Sequence, residues 1–200
     1  MYASSTNDVS NPCYHGKLKG QIAHWRTHKT YCKNFNKYNA SRQFSQLEPY
    51  EKLDALLLTH LFAELSARDA EKADTTEVDT FRSLLPGPMS ERVYPPTCPL
   101  TTNKNSSVDP SELFSRCGNN NFTIHSHFTT IAHGIFPLAS RLFNHSCFPN
   151  AIAKYIFSQK TDTQMAIMAI RDILPGEEVS EAYPLKSGSD ICFVDLHSLR

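Results

Sequence analysis

The sequence has no excess of charge of either sign, because 20 lysine and arginine residues balance 20 aspartate and glutamate residues. A chain with this balance has no long-range field that would hold it on nucleic acid or on an anionic membrane. It also lacks an apolar run near the ~20 residues that a membrane helix requires, and its polar opening has no secretory apolar region. We therefore expect no direct nucleic-acid binding, no membrane, and a location in the nucleus or cytoplasm.

Closely paired cysteines are absent as well. The six cysteines are widely spaced along the chain: Cys13, Cys32, Cys98, Cys117, Cys147 and Cys192. In a reducing compartment such cysteines are buried thiols or metal ligands rather than disulfide partners. Internal repeats and low-complexity tracts are also absent, and nothing in the sequence indicates a fibre or a fully disordered chain.

Hydrophobic residues make up 40% of the 200-residue chain, enough for one ordinary core. Leucines recur at three- and four-residue steps between Glu48 and Lys72, which predicts a long amphipathic helix with Pro49 in its first turn. A shorter helix is expected between Gln21 and Phe35, with Trp25 and Tyr31 as its apolar anchors. His60 lies on the leucine stripe and is expected to be a hydrogen-bonded core or boundary residue.

The second half of the chain has the pattern of a β-rich fold. A proline-rich connector with at most short helices is expected between residues 73 and 109, followed by a helical turn from Ser111 to Arg116. Four short segments then combine β-branched and aromatic residues, which predicts strands at Phe122–His125, Ile131–Phe136, Ala151–Phe157 and Gln164–Ile170.

Two motifs follow each other in this half. Residues 141–150 read RLFNHSCFPN, and RDILPGEEVSEAY begins 21 residues after Asn150 and ends at Tyr183. Each motif alone could be a polar turn. Together, in this order and spacing, they resemble the NHSCxPN signature and the GEE-then-tyrosine element of SET domains. The preceding segment, NNNFTIHSHFTTIAHGIFP at 119–137, is similar to the strand and turn of SET proteins that carry a MYND insertion.

The resemblance implies an α+β fold: a β-rich SET fold of short strands with a knot-like crossing and an inserted helical region. It divides the chain into a degenerate MYND-like helix and tail (1–40), a helical insert and connector (41–109) and the SET core (110–200). The implied activity is transfer of methyl from S-adenosylmethionine to a lysine of a histone or non-histone protein, in the SET-and-MYND group. The alternatives are a non-catalytic SET-like interaction module and a zinc-dependent adaptor acting through the N-terminal helix.

The resemblance also implies roles for single residues. The Asn-His pair of SET proteins contacts the cofactor, so Asn144 and His145 are the implied cofactor contacts. Tyr183 matches the terminal tyrosine that orients the methyl group and the lysine nitrogen, although it could simply close a strand. Methyl transfer from a sulfonium develops no oxyanion, so alignment matters more than acid or base strength. Ser146 and Asn150 are expected to stabilise the crossing of the chain.

Further side chains near the motifs have an expected place. Candidates for the wall of a lysine channel, with core packing as the alternative, are Phe122, Phe136, Phe143 and Tyr155. Glu177 and Glu178 point to opposite faces of an extended chain, so they cannot flank one bond as a glycosidase pair. They are expected to form a turn element that pairs with Arg171 or with backbone donors.

The segment GQIAHWRTHKTYC is similar to the last helix of a MYND zinc finger, but Gly16 and Gly20 stand where that family has cysteines. His24, His28 and Cys32 could share one helical face, with Cys13 or His15 completing a set, yet we expect less than one zinc per chain. In SET proteins the signature cysteine shares a zinc with a cysteine-rich post-SET segment. Only Cys192 follows here, so Cys147 is expected to be a buried or half-exposed free thiol.

The same comparison leads us to expect a chain truncated at both ends. SET methyltransferases have a glycine-rich strand before the MYND region and a cysteine-rich segment after the closing tyrosine, and neither pattern is found in this sequence. With part of its pocket missing, the chain alone is expected to bind the cofactor weakly and to transfer little methyl.

Overall fold

The computed structural model of the protein describes residues 2–3, 25–71, 76–87, 94–101, 108–126, 129–156 and 164–181. Its helices are α1 (Cys32–Asn39), α2 (Arg42–Ser45), α3 (Pro49–Glu71), α4 (Thr76–Ser83), α5 (Pro110–Asn120) and α6 (Pro137–Leu142). Its strands are β1 (Tyr2–Ala3), β2 (Asn121–Ser126), β3 (Thr129–Ile135), β4 (Asn144–His145), β5 (Ala151–Ile156), β6 (Gln164–Ala169) and β7 (Ser180–Glu181). The long helix and the four longer strands lie where the sequence predicts them.

Helix α3 is the central element of the helical half. Leu57, Leu61 and Leu65 pack in one cluster with side chains of α4, α5 and β3. Ala55 and Ala63 pack in a second cluster with the aromatic residues of α1 and α2. The helix is therefore buried on two sides, more than the single leucine stripe indicates, because its small alanines allow a second layer to approach closely.

The predicted single helix near the N-terminus is interrupted. Residues 25–28 are helical and a turn follows before α1 begins. Tyr31 is buried as predicted, but Trp25 is 55% exposed, so its role as an apolar anchor was wrong. The backbone oxygen of Thr30 accepts from both the backbone N–H and the hydroxyl of Thr101, at 2.6 and 2.5 Å. Because Thr101 occupies the Thr30 carbonyl oxygen, that oxygen does not need a partner within a helix, and this favours the break in the helix.

Helix α5 is longer than the predicted turn, with 11 residues. Its start is capped, since the Asp109 side chain accepts from the backbone N–H of Ser111 at 2.9 Å and Pro110 occupies the first turn. At its other end Asn120 Nδ2 donates to the backbone oxygens of Arg116 and Leu85, each at 2.8 Å. These caps compensate for the poor helix propensity of the Gly-Asn-Asn ending.

The strands form two small sheets. The first has the order β1-β3-β2 and is antiparallel throughout. The second has the order β4-β7-β5-β6; β5 and β6 are antiparallel, whereas β7 runs parallel to both β4 and β5. Strand β7, although last in the described chain, thus lies between two strands that precede it. This inserted strand brings the two sequence motifs together.

Candidate functional site

The two motifs meet at β4 and β7. Asn144 pairs with Ser180 and His145 pairs with Glu181 in parallel register. The backbone N–H of Ser146 donates to the backbone oxygen of Glu181 at 2.9 Å, which continues the contact beyond the strand. The signature and the closing motif therefore form one continuous site. The last described residue of this site is Glu181, and Tyr183, two positions later in the sequence, lies outside the described residues.

The buried side chain of Asn150 holds the two motifs together by hydrogen bonds. Its side chain is 1% exposed. Asn150 Nδ2 donates to the backbone oxygen of Glu178 at 2.8 Å, and Oδ1 accepts from the backbone N–H of Ser180 at 2.9 Å. Its own backbone oxygen accepts from Ile170 N–H at 2.9 Å. Asn150 stabilises the crossing, as predicted for this residue, because its amide satisfies backbone groups that would otherwise be buried without partners.

Other residues of the signature are accessible. Asn144, His145, Cys147 and Phe148 are all exposed. This exposure follows from the position of β4 at the edge of the described sheet, where its one partner is β7. Asn144 Nδ2 donates to Glu178 Oε1 at 2.6 Å, so the exposed amide has a defined orientation.

The turn before β7 is held by Glu177. Its Oε1 accepts from Arg171 Nη2 at 2.5 Å and from Asn150 Nδ2 at 3.1 Å, and its Oε2 accepts from the backbone N–H of Leu174 at 3.1 Å. These hydrogen bonds, first that from Arg171, lower the pKa of Glu177 to about 2. Gly176 has φ 87°, and the backbone N–H of Glu177 donates to Leu174 O at 3.0 Å. Glu177 is a turn element paired with Arg171, as predicted.

Comparison with known proteins decides the family. A family model described as the SET domain matches residues 13–184. The chain belongs to the SET domain family. Its helices and small sheets are the α+β composition of the SET fold, as the resemblance implied. None of the curated proteins matches the chain. Members of this family are generally protein-lysine methyltransferases that use S-adenosylmethionine.

The match also changes the extent of the likeness. It begins at residue 13, far before the stretch 110–183 on which the resemblance was strongest, so most of the helical half lies within the SET domain.

Among the described helices, none combines the length and apolarity needed to cross a bilayer.

One buried acidic residue of the SET site was not found from the sequence. Glu181 is 3% exposed, and its Oε1 accepts from the backbone N–H of Ala153 at 3.1 Å. Its Oε2 is buried and has no hydrogen-bond partner in the part of the chain that the structure describes. Burial raises the pKa of the Glu181 carboxyl. The available signal was strand alternation, which puts Glu181 and Tyr183 on one face of an extended chain.

The aromatic candidates for a channel wall pack together. The rings of Phe122 and Phe136 are 5.6 Å apart in a T-shaped arrangement, and Phe136 and Tyr155 are 5.9 Å apart. Phe143 packs against the same cluster. This contact supports the core-packing alternative for Phe122 and Phe136, which are both buried. Burial, and to a smaller extent the charge of Glu181, raises the pKa of Tyr155.

A mostly apolar cavity of about 470 Å³ lies between α3, α4, β3, α6 and β6. Its described lining includes Leu61, Glu64, Phe81, Phe136 and Met165, and no described residue of either motif lines it. Glu64 is not an open binding group, because Arg26 Nη2 and Arg68 Nε donate to its Oε1 at 3.0 and 2.5 Å. The cavity is adjacent to the SET site through α6 but is separate from it.

The metal candidates do not converge in the described chain, which contains no group of three or more histidine, cysteine or acidic residues able to hold a metal. His28 is buried, with its ring 5.0 Å from that of Tyr31, and Cys32 is half-buried. Cys147 is exposed, so the expectation that it would be buried or half-exposed was wrong, and its Sγ lies 3.4 Å from Nε2 of His145. His24, Cys13 and His15 lie outside the described residues. The expectation of less than one zinc per chain stays a prediction for elemental analysis.

Proposed function

We propose that this chain is an S-adenosylmethionine-dependent protein-lysine N-methyltransferase. The observation that carries the proposal is the parallel pairing of Asn144 and His145 with Ser180 and Glu181, which joins both family motifs into one site. Alignment of an amine with a methyl donor requires groups fixed on a rigid frame, and this crossing supplies one. Tyr183 follows the crossing by two residues.

The residues present fit the cofactor. Asn144 and His145 are exposed polar side chains, and the Asn144 amide is oriented by its 2.6 Å bond to Glu178. Amide and imidazole groups supply directional donors and acceptors for the polar ends of such a molecule. S-adenosylmethionine would supply an electrophilic methyl group on its sulfonium. Asn144 and His145 would bind it, and the hydroxyl of Tyr183 would orient the lysine nitrogen.

The substrate in this proposal is a lysine side chain of a histone or non-histone protein, reached in the nucleus or cytoplasm. The segment 119–137, with its likeness to SET proteins that carry a MYND insertion, supports placement in the SET-and-MYND group. In that placement residues 1–40 are a degenerate MYND-like tail, residues 41–109 the helical insert and residues 110–200 the SET core.

Calorimetric titration with S-adenosylmethionine tests the cofactor site before any substrate is known. We expect weak but measurable binding by the wild-type chain and a further tenfold or larger loss of affinity in His145→Ala. The matched control is Asn36→Ala, a change at an exposed polar residue of α1. Transfer of radiolabelled methyl to a lysine-rich protein mixture then tests the reaction. Absence of both binding and transfer in the wild type would reject the enzyme.

One observation favours the alternative of a protein-interaction module. Four apolar side chains are exposed on or next to the β5–β6 hairpin: Ile152, Ile156, Met168 and Ile170. Ile152 and Met168 are directly opposite each other in register, so they form one apolar surface. Exposed apolar patches are typical of protein contacts. A chain that gives no heat with S-adenosylmethionine but binds protein through this surface would be such a module.

A further inference from the structure

The known roles of the SET motifs leave Glu181 without a function. A buried carboxylate is costly unless its oxygens have partners, because it loses its hydration. Glu181 Oε1 has one partner, the backbone N–H of Ala153 at 3.1 Å. Oε2 is buried and has none among the described residues. A buried oxygen without a partner among the described residues can accept a hydrogen bond or a proton from a bound molecule.

The position of Glu181 identifies where that partner would be. Glu181 lies in β7, paired with His145 of the signature on one side and with Ala151 of β5 on the other. Side chains of paired residues share a face of the sheet, and residues two apart in a strand do so as well. Glu181 therefore faces the same side as Ala151 and Tyr155.

We propose that Glu181 receives the proton of the substrate lysine. This inference rests on the proposed function, since it gives a role to a residue of the same site. A lysine side chain arrives as an ammonium, and only the neutral amine has the lone pair that attacks a methyl carbon. One proton moves from the ammonium to Glu181 Oε2, which leaves a neutral amine beside a neutral carboxylic acid.

The remaining electrons and atoms then balance. The lone pair of the amine forms the new N–C bond, while the C–S bond breaks and leaves its electron pair on sulfur. The product is an N-methylammonium, and Glu181 returns its proton to solvent before the next turnover. Each turnover thus releases one proton, as methylation of an ammonium requires.

The surroundings of Glu181 favour this transfer. Burial raises the pKa of the Glu181 carboxyl. The difference in pKa between this proton acceptor and the donating lysine ammonium is therefore smaller, which favours the transfer. An apolar environment also disfavours the ammonium, so both groups gain by becoming neutral. Among the described residues, the ionisable side chains that adjoin Glu181 are Tyr155 on β5 and His145 on β4. Tyr155 is neutral at pH 7, because burial raises its pKa, and cannot accept this proton.

The test compares wild type, Glu181→Gln and Glu181→Asp in methyl transfer between pH 6 and pH 9. In Glu181→Gln we expect kcat at pH 7 to fall about a hundredfold or more, the usual effect of losing a general base. Its rate should rise about tenfold per pH unit, because the amine must then lose its proton to solvent. Glu181→Asp retains a carboxylate and should keep the wild-type profile at a lower rate. Glu112→Gln is the matched control, since Glu112 is exposed in α5.

A second readout needs no turnover. Carboxyl-labelled glutamate allows the Glu181 signal to be followed by carbon NMR, with n-butylammonium as a mimic of the lysine side chain. We expect its addition to move this signal toward the protonated form, with no such change in Glu181→Gln and an affinity for S-adenosylmethionine within about twofold of wild type in that variant.

The outcomes separate the two proposals. Wild-type transfer together with an unchanged rate and pH profile in Glu181→Gln would overturn the role of Glu181 and leave the methyltransferase standing. A uniform loss of rate at all pH values would assign Glu181 a structural role and overturn the proposal as well. A wild-type chain that neither binds the cofactor nor transfers methyl would remove both.

Discussion

Asn144 Nδ2 donates to Glu178 Oε1 at 2.6 Å, although the two residues are 34 positions apart. Asn144 belongs to the signature and Glu178 to the closing motif. A hydrogen bond to a carboxylate is short and directional. The orientation of the exposed Asn144 amide is therefore set by the other motif, and the two motifs act as one unit.

Because of this hydrogen bond, we expect a change at Glu178, which is not an implied cofactor contact, to alter the affinity for S-adenosylmethionine. Glu178→Ala should weaken binding of S-adenosylmethionine about three- to tenfold, because the Asn144 amide loses its orientation. Stability should change by less than about 1 kcal/mol, since both side chains are exposed. A double-mutant cycle with Asn144→Ala, measured by calorimetry, checks the coupling. Additive losses in affinity would mean that the two residues act independently.

Asn150→Ala should destabilise the protein by about 1 to 3 kcal/mol, because the change removes the hydrogen bonds to the backbone N–H of Ser180 and the backbone oxygen of Glu178, both partly buried. Urea unfolding followed by circular dichroism gives the free energy. The control Asn36→Ala, on the exposed side of α1, should shift it by no more than about 0.5 kcal/mol. Equal effects of the two variants would show that the crossing does not depend on Asn150.

Glu64 should make the folded state sensitive to acid. Burial opposes its ionisation, but hydrogen bonds from Thr27 and Arg68 and the charges of Arg68 and Arg26 outweigh burial and lower the pKa from 4.5 to about 2. A lowered folded-state pKa adds stability that is complete above pH 4.5 and is lost as the pH falls toward 2.

The shift corresponds to about 3 kcal/mol, so Glu64→Gln should cost about 2 to 3 kcal/mol at pH 7 and less at pH 3. Urea unfolding at several pH values measures the difference from wild type. Glu112→Gln removes a similar carboxylate from an i,i+4 pair with Arg116, but Glu112 is 60% exposed, so its effect should be small at every pH. A Glu64 effect that stays constant from pH 7 to pH 3 would contradict the linkage.

Tyr183→Phe should lower kcat by about ten- to a hundredfold without changing the affinity for S-adenosylmethionine. In the proposed function the variant loses the one hydroxyl that would orient the lysine nitrogen, while the ring remains. Transfer assays and calorimetry separate the two quantities. Tyr50→Phe, at an exposed tyrosine of α3, is the control. Wild-type kcat in Tyr183→Phe would remove Tyr183 from the catalytic residues.

The sequence predicted those parts of the fold that local pattern determines. The leucine period located α3, and β-branched residues located the strands, because these signals act within one element. The motif residues also predicted that Asn150 would stabilise a crossing. Burial that depends on distant partners was not predictable. Trp25 is the kind of large apolar residue that usually packs into a core. The position of its segment, however, is determined by hydrogen bonds with Thr101 and Glu64, which are far along the chain.

Glu181 was missed for the same reason. A glutamate near the end of a motif is usually solvent-exposed, and its burial follows only from the insertion of β7 between β4 and β5. The parallel order of these strands is a property of the whole second sheet. The local sequence therefore predicted which residues form the strands, but not which strands would be neighbours.

The central position of β7 has a consequence for synthesis of the chain. The ribosome synthesises the signature before residues 177–181. Asn150 therefore lacks most of its hydrogen-bond partners until the β5–β6 hairpin and the turn after it have been synthesised. Contacts across such a span form slowly, because a long loop must close first. A nascent chain arrested before residue 177 would carry the complete signature but could not assemble the site, so maturation of the site is delayed until translation has passed β7.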